Sequence, residues 1–144
     1  MRTLSVRQPY AGLIAAGIKN IENRTWGAAG DDPAPLAIAA TAKPEPASVF
    51  DDMRKKCAEL GVQFPEALCS INGAVVCVVD LTGFVALDED GTVVTDHDTI
   101  QEDDLKDWWN QDALGWILEN PRLITPPIPC KGRLGIFDTP ITEN

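Results

Sequence analysis

Residues 74–84, AVVCVVDLTGF, hold the densest β-branched run in the chain. Branched side chains lose rotamer freedom in a helix and pack well on a pleated surface, so the run predicts a central strand. Its continuation, 85–94, sets Asp90-Gly91 between apolar flanks, which predicts a hairpin. The remaining elements arrange themselves around that strand. Short strands are expected at 4–6, 36–40, 115–118 and 133–137, with an extended piece over 21–24 and a stiff connector at 126–129. Residues 9–16 read as a helix opened by Pro9 and ended by Gly17 in the left-handed capping position. A second helix is expected over 45–60 with Val49, Met53 and Leu60 toward the core, a short third one over 103–110, and a loop over 25–35. Strands and helices without a regular βαβ rhythm predict an α+β domain on a small curved sheet or barrel.

At 144 residues the natural count is one domain, residues 1–144. No apolar run reaches the roughly 18 residues that span a bilayer, and no signal-peptide core follows Met1, so a soluble, cytosolic protein with no membrane partner is expected. Cys57, Cys69, Cys77 and Cys130 form no C-x-x-C pair and sit among apolar neighbours, which predicts buried thiols rather than bridges or zinc ligands.

A net charge of −10 argues against a general affinity for polyanions, but the charge is regional. Nine acidic side chains and Lys106 give residues 87–107 a charge of −8, leaving −2 for the rest of the chain. A basic cleft elsewhere is compatible with that distribution. Asp88-Glu89-Asp90-Gly91 fails as a calcium loop: with Gly91 on the loop glycine, Ala86 falls at the first ligand position and His97 where the bidentate Glu belongs. His97, the one histidine, reads as an exposed loop residue, and no nucleophile–base pair can be assembled around it. No metal and no cofactor is expected.

Residues 17–26, GIKNIENRTW, do not read as scaffold. On an extended strand Glu22 and Arg24 share one face, with Lys19 at the bend that enters it. An ordinary ion pair explains that spacing by itself. The segment Arg7-Gln8-Pro9-Tyr10 precedes the same helix, however, so Arg, Gln, Lys, Glu and Trp side chains can converge on one cleft. Cations, amide donors and an indole face are what a nucleobase with its phosphate requires.

The ordered set SVRQPY, GIKNIENRTW, LAIAATAK, GAVV, WILENP and KGRLGIF resembles the ASCH (activating signal cointegrator homology) domain of the PUA-like superfamily, whose hallmark is G-x-K-x-x-E-x-R. The resemblance implies a small mixed β-barrel flanked by helices, with a cleft around the hallmark residues that serves RNA or nucleotide recognition. Carried over, Lys19, Glu22 and Arg24 are the cleft motif. Some relatives are hydrolases, including an N4-acetylcytidine amidohydrolase branch and described ribonucleases. The amidohydrolases carry Thr three residues after the motif Lys, where this chain has Glu22.

Three functions follow. In a binding module, Arg7, Gln8, Lys19, Glu22, Arg24, Lys131 and Arg133 would contact RNA, a single strand or a nucleotide-like small molecule, with Tyr10 or Trp26 stacking. In a hydrolase, Lys19 or Glu22 would act as general base and Arg24 would stabilise an oxyanion. In an interaction domain, the acidic segment 88–107 would dock onto a basic protein. Trp108, Trp109 and Trp116 are expected to serve packing.

Overall fold

The computed structural model describes residues 1–27 and 34–142. Its centre is the valine-rich strand, which runs as β4 over Ala74–Leu87. The other strands are β1 (Arg2–Val6), β2 (Ile21–Arg24), β3 (Ala34–Ala40), β5 (Val93–Thr95), β6 (Leu114–Pro129) and β7 (Ile136–Asp138). The helices are α1 (Tyr10–Ala15), α2 (Ala47–Leu60) and α3 (Glu102–Leu105), with a 3-10 turn at Leu68–Ser70. Only part of the expected 25–35 loop falls within the described residues, since β3 already begins at Ala34.

One mixed sheet holds the strands in the order β2-β6-β4-β3-β1-β7, with β5 on the far end of β4. Among the described residues only β1 and β3 pair in parallel; the other pairs are antiparallel. Register shifts interrupt the β4–β6 ladder at three places and β3–β4 at one. Such bulges bend strands and strengthen twist, and the sheet curls into a half-barrel. The fold is therefore α+β, as the sequence predicts.

Several boundaries differ from expectation. The segments 115–118 and 126–129 are two ends of one long bent strand, β6, because its solvent-facing middle pairs with β4 and hides the apolar signal of a strand. The last strand begins at Ile136 rather than residue 133, and α3 is a single turn. Leu60 lies 37% exposed at the end of α2, whose buried residue is Cys57. His97 is not an exposed loop residue: its side chain is 11% exposed, with Nδ1 accepting from the amides of Thr99 (3.1 Å) and Ile100 (3.0 Å) and Nε2 on Glu119 at 2.6 Å.

Helix α1 fills the concave side. Its Ala11, Ile14 and Ala15 join Leu4, Leu36, Ile38, Leu81 and Trp116, while Leu13 faces a second cluster with Ile21, Cys57, Cys69, Trp108 and Ile117. Gly12 is the point of closest approach: a Cβ there would stand 2.6 Å from Cys69 Sγ and 2.7 Å from Cys69 N. Glycine is what lets α1 and the 3-10 turn touch. The helix ends in a Schellman motif, with Gly17 at φ 76°, its N–H on Ile14 O and the Ile18 N–H on Leu13 O. That cap turns the chain inward at Lys19 and feeds it into β2.

Candidate nucleotide-binding cleft

Among the described residues strand β2 pairs only with β6, and its register sets Glu22 opposite Trp116 and Arg24 opposite Leu114. Opposed residues share a sheet face, so Glu22 and Arg24 look into the half-barrel with Trp116, whereas Ile21 and Asn23 look the other way. Asn23 serves structure there, donating to Trp108 O at 2.8 Å and accepting from Asn110 N at 2.8 Å. Strands β2 and β7 are the two edges of the sheet, and Arg24 Nη2 spans the seam between β2 and the β1–β7 pair to reach Ser5 O at 3.0 Å.

A cleft of about 720 Å³ opens at the seam. Strand β1 and its exit supply Ser5 and Arg7, β2 supplies Glu22 and Arg24, α1 supplies Tyr10, the segment after β3 supplies Thr41 and Glu45, and the turn between β6 and β7 supplies residues 131–135. That turn lies over β1, where Arg133 N approaches Ser5 Oγ at 3.4 Å. Four of the chain's twelve basic residues, Arg7, Arg24, Lys131 and Arg133, thus line one cleft beside two carboxylates. Each carboxylate has a cation: Glu22 Oε2 stands 3.4 Å from Arg24 Nη2, and Glu45 Oε1 stands 4.0 Å from Arg7 Nε. Burial, reinforced by Glu45 and Glu22 nearby, raises the pKa of the Tyr10 phenol.

The motif lysine lies on the other side of Glu22. Lys19 is 5% exposed, its ammonium donates to Ile21 O and stands 3.7 Å from Glu22 Oε1, and the Tyr10 and Trp108 rings flank it at 5.8 and 6.0 Å. Burial lowers its pKa, aided by Lys56 and Arg24 and opposed by Glu22. Lys19 faces a separate hollow of about 320 Å³ rather than the larger cleft.

The other candidates divide. Gln8 does not reach the cleft and is corrected to a structural residue. It is fully buried, its Nε2 donates to Leu68 O at 2.7 Å and Ile71 O at 2.8 Å, and its Oε1 accepts from Gly12 N at 2.8 Å. Every hydrogen-bonding group of the amide faces backbone, which leaves none for a ligand. Trp26 also stands outside the cleft lining: its ring packs edge-on against Trp116 with centroids 5.0 Å apart, and its carbonyl accepts from Trp116 Nε1. Trp116 and Trp108 serve packing, at 0% and 8% exposure. Ser5, Thr41, Glu45 and Lys56 border the two hollows without any spacing signal in the sequence, because they arrive from separate elements.

In the segment 88–107, several acids accept from nearby backbone amides. Asp88 Oδ1 accepts from Asp90 N and Thr92 N, Asp96 Oδ1 from Phe84 N, and Asp104 Oδ2 from Gln101 N. No helix among the described residues is long and apolar enough to cross a membrane.

A search of the curated proteins found no match. The ASCH domain family model matches residues 4–127, which takes in β1 through most of β6 and with them Lys19, Glu22, Arg24 and the half-barrel that positions them. An ASCH domain is consistent with RNA binding or a related function and with a nucleic-acid kind of partner. By this match over most of its length, and by the fold that carries it, the chain belongs to the ASCH domain family.

Proposed function

We propose that this protein binds RNA or a nucleotide-like ligand in the 720 Å³ cleft at the open seam of the half-barrel. The observation that carries the reading is the convergence of Arg7, Arg24, Lys131 and Arg133 there, in a chain whose overall charge is −10. Guanidinium groups offer forked donors to phosphate, and such charge-assisted bonds strengthen where water is partly excluded. Arg24 is well suited, since Glu22 and Ser5 hold its guanidinium in place before a ligand arrives. Tyr10, half-buried beside it, offers a ring face for a base. The strong net negative charge elsewhere suppresses nonspecific attraction to polyanions, which restricts binding to ligands that fit the cleft.

Fluorescence anisotropy with a short single-stranded RNA tests this. The double variant Lys131→Ala/Arg133→Ala changes two exposed side chains, leaves the core alone, and is expected to weaken binding about ten-fold or more, at roughly 1.5–3 kcal/mol for a hydrogen bond to a charged group. Binding that is indifferent to this variant and to Arg24→Ala would sink the reading.

Hydrolysis is a second reading, favoured by one observation: burial lowers the pKa of Lys19, the direction a lysine general base needs. Mass spectrometry of ordinary and modified nucleosides and short RNAs, incubated with the native protein and with Lys19→Ala, separates the two. Conversion by the native protein alone identifies an enzyme, and retention without conversion identifies a binding module. Neither outcome for any component would overturn both and leave a basic protein docking on residues 88–107 as the remaining function.

A further inference from the structure

The 320 Å³ hollow beyond Glu22 is bordered by Lys19, Lys56 and Trp108 and shares Tyr10 and Glu22 with the larger cleft. The two hollows therefore adjoin across those two side chains. On the far side, the Lys56 ammonium sits 4.1 Å from the centre of the Trp108 ring and donates to Asp107 O. An ammonium has three N–H groups, so two of those on Lys56 remain for an anion. Lys19 adds a second cation from beneath, and the Trp108 and Tyr10 rings form apolar walls.

We propose that this hollow is a second phosphate subsite and that the ligand is a single-stranded oligoribonucleotide crossing Tyr10, rather than a mononucleotide; the inference rests on the reading of the larger cleft given above. The distribution of charge carries it. Glu22 stands between two groups of cations, with Oε2 toward Arg24 and Oε1 toward Lys19. A carboxylate there repels a phosphate placed over the divide and favours one on either side. A mononucleotide carries its phosphates at one end, and a pyrophosphate-linked dinucleotide would set its charge on the divide. A phosphodiester strand instead places anions at intervals, with an uncharged sugar and base between them to lie on Tyr10.

Length dependence and salt dependence test this together. Native protein is titrated with a ribonucleoside monophosphate and with tri- and hexaribonucleotides over a range of salt concentrations, then compared with Lys56→Gln and Lys56→Arg. The trinucleotide is expected to bind at least about ten-fold more tightly than the monophosphate. Lys56→Gln should remove most of that gain, leave monophosphate affinity within about two-fold, and lower the salt slope by roughly 0.7, the value for one phosphate contact on a single strand. Lys56→Arg should retain the gain. Equal affinity for monophosphate and oligonucleotide would overturn this inference while the larger cleft stands, as would a gain that survives Lys56→Gln. Failure of every ligand to bind would overturn the reading of the larger cleft and this one with it. If Lys56→Gln does not fold, the native length dependence and salt slope still decide.

Discussion

Lys19, Glu22 and Arg24 are adjacent in sequence yet serve two compartments, and Glu22 divides them. The sequence makes their proximity legible: a glycine-capped helix end, a lysine at the bend, and Glu and Arg two apart on one strand face. It does not show that Lys19 turns inward, because that depends on Trp108 and Lys56 arriving from other elements. Gln8 illustrates the opposite failure. A polar residue beside Arg7 and Tyr10 reads as a ligand donor, but the 3-10 turn at Leu68–Ser70, which has no sequence signature here, presents carbonyls that take both its N–H groups. Gln8→Ala would orphan two carbonyls and the Gly12 N–H in the core. At about 1–3 kcal/mol for each unpaired buried group, the loss should reach about 3 kcal/mol or more. Urea denaturation would measure it, and a loss below about 1 kcal/mol would contradict the structural role assigned to this amide.

Among the elements, α1 is the one whose fit admits least change. Its length and its glycine cap are readable from the sequence, and so are β4 and the hairpin at Asp90-Gly91, since each rests on local propensity. The length of β6 is not readable, because prolines and charged residues occupy its outer half and only pairing with β4 keeps it extended. Contact between α1 and the 3-10 turn is equally silent in the sequence. Gly12→Ala tests that contact. Alanine improves helix propensity by up to about 1 kcal/mol, but the new Cβ would fall 2.6–2.8 Å from Cys69 atoms, two of them backbone. Overpacking wins, and a net destabilisation of about 1–3 kcal/mol is expected by thermal or chemical denaturation. An unchanged or raised midpoint would show that the turn yields at little cost.

Across the whole molecule, buried ionisable groups set the response to alkaline pH. Burial pushes the Cys69 and Cys77 thiols up to about 12 from an ordinary value of 9.0. Between those values the unfolded chain has released these protons while the native chain holds them, so stability falls as pH rises above about 9. Tyr10, raised by burial, acts in the same direction above its ordinary 10.0. Lys19 acts in the other: with its native pKa lowered, the unfolded chain binds the extra proton, and stability grows as pH climbs toward 10.5. Two thiols and a phenol outweigh one amine, so the denaturation midpoint under reducing conditions should drop between about pH 9 and 11. Cys77→Ala should flatten that drop while lowering the midpoint at neutral pH. A midpoint that rises over the range would put Lys19 ahead of the thiols. The topology has a further consequence, for the order of events during synthesis. Strand β2 carries Glu22 and Arg24 but, among the described residues, pairs only with residues 114–117 of β6, and β1 pairs with β7. Both partners emerge from the ribosome long after residues 1–24, and Lys131 and Arg133 emerge between them. Residues 1–24 must wait for residues 114–138, so the cleft assembles only once those have been made, and a nascent chain that stops short of them presents the hallmark motif without its pocket.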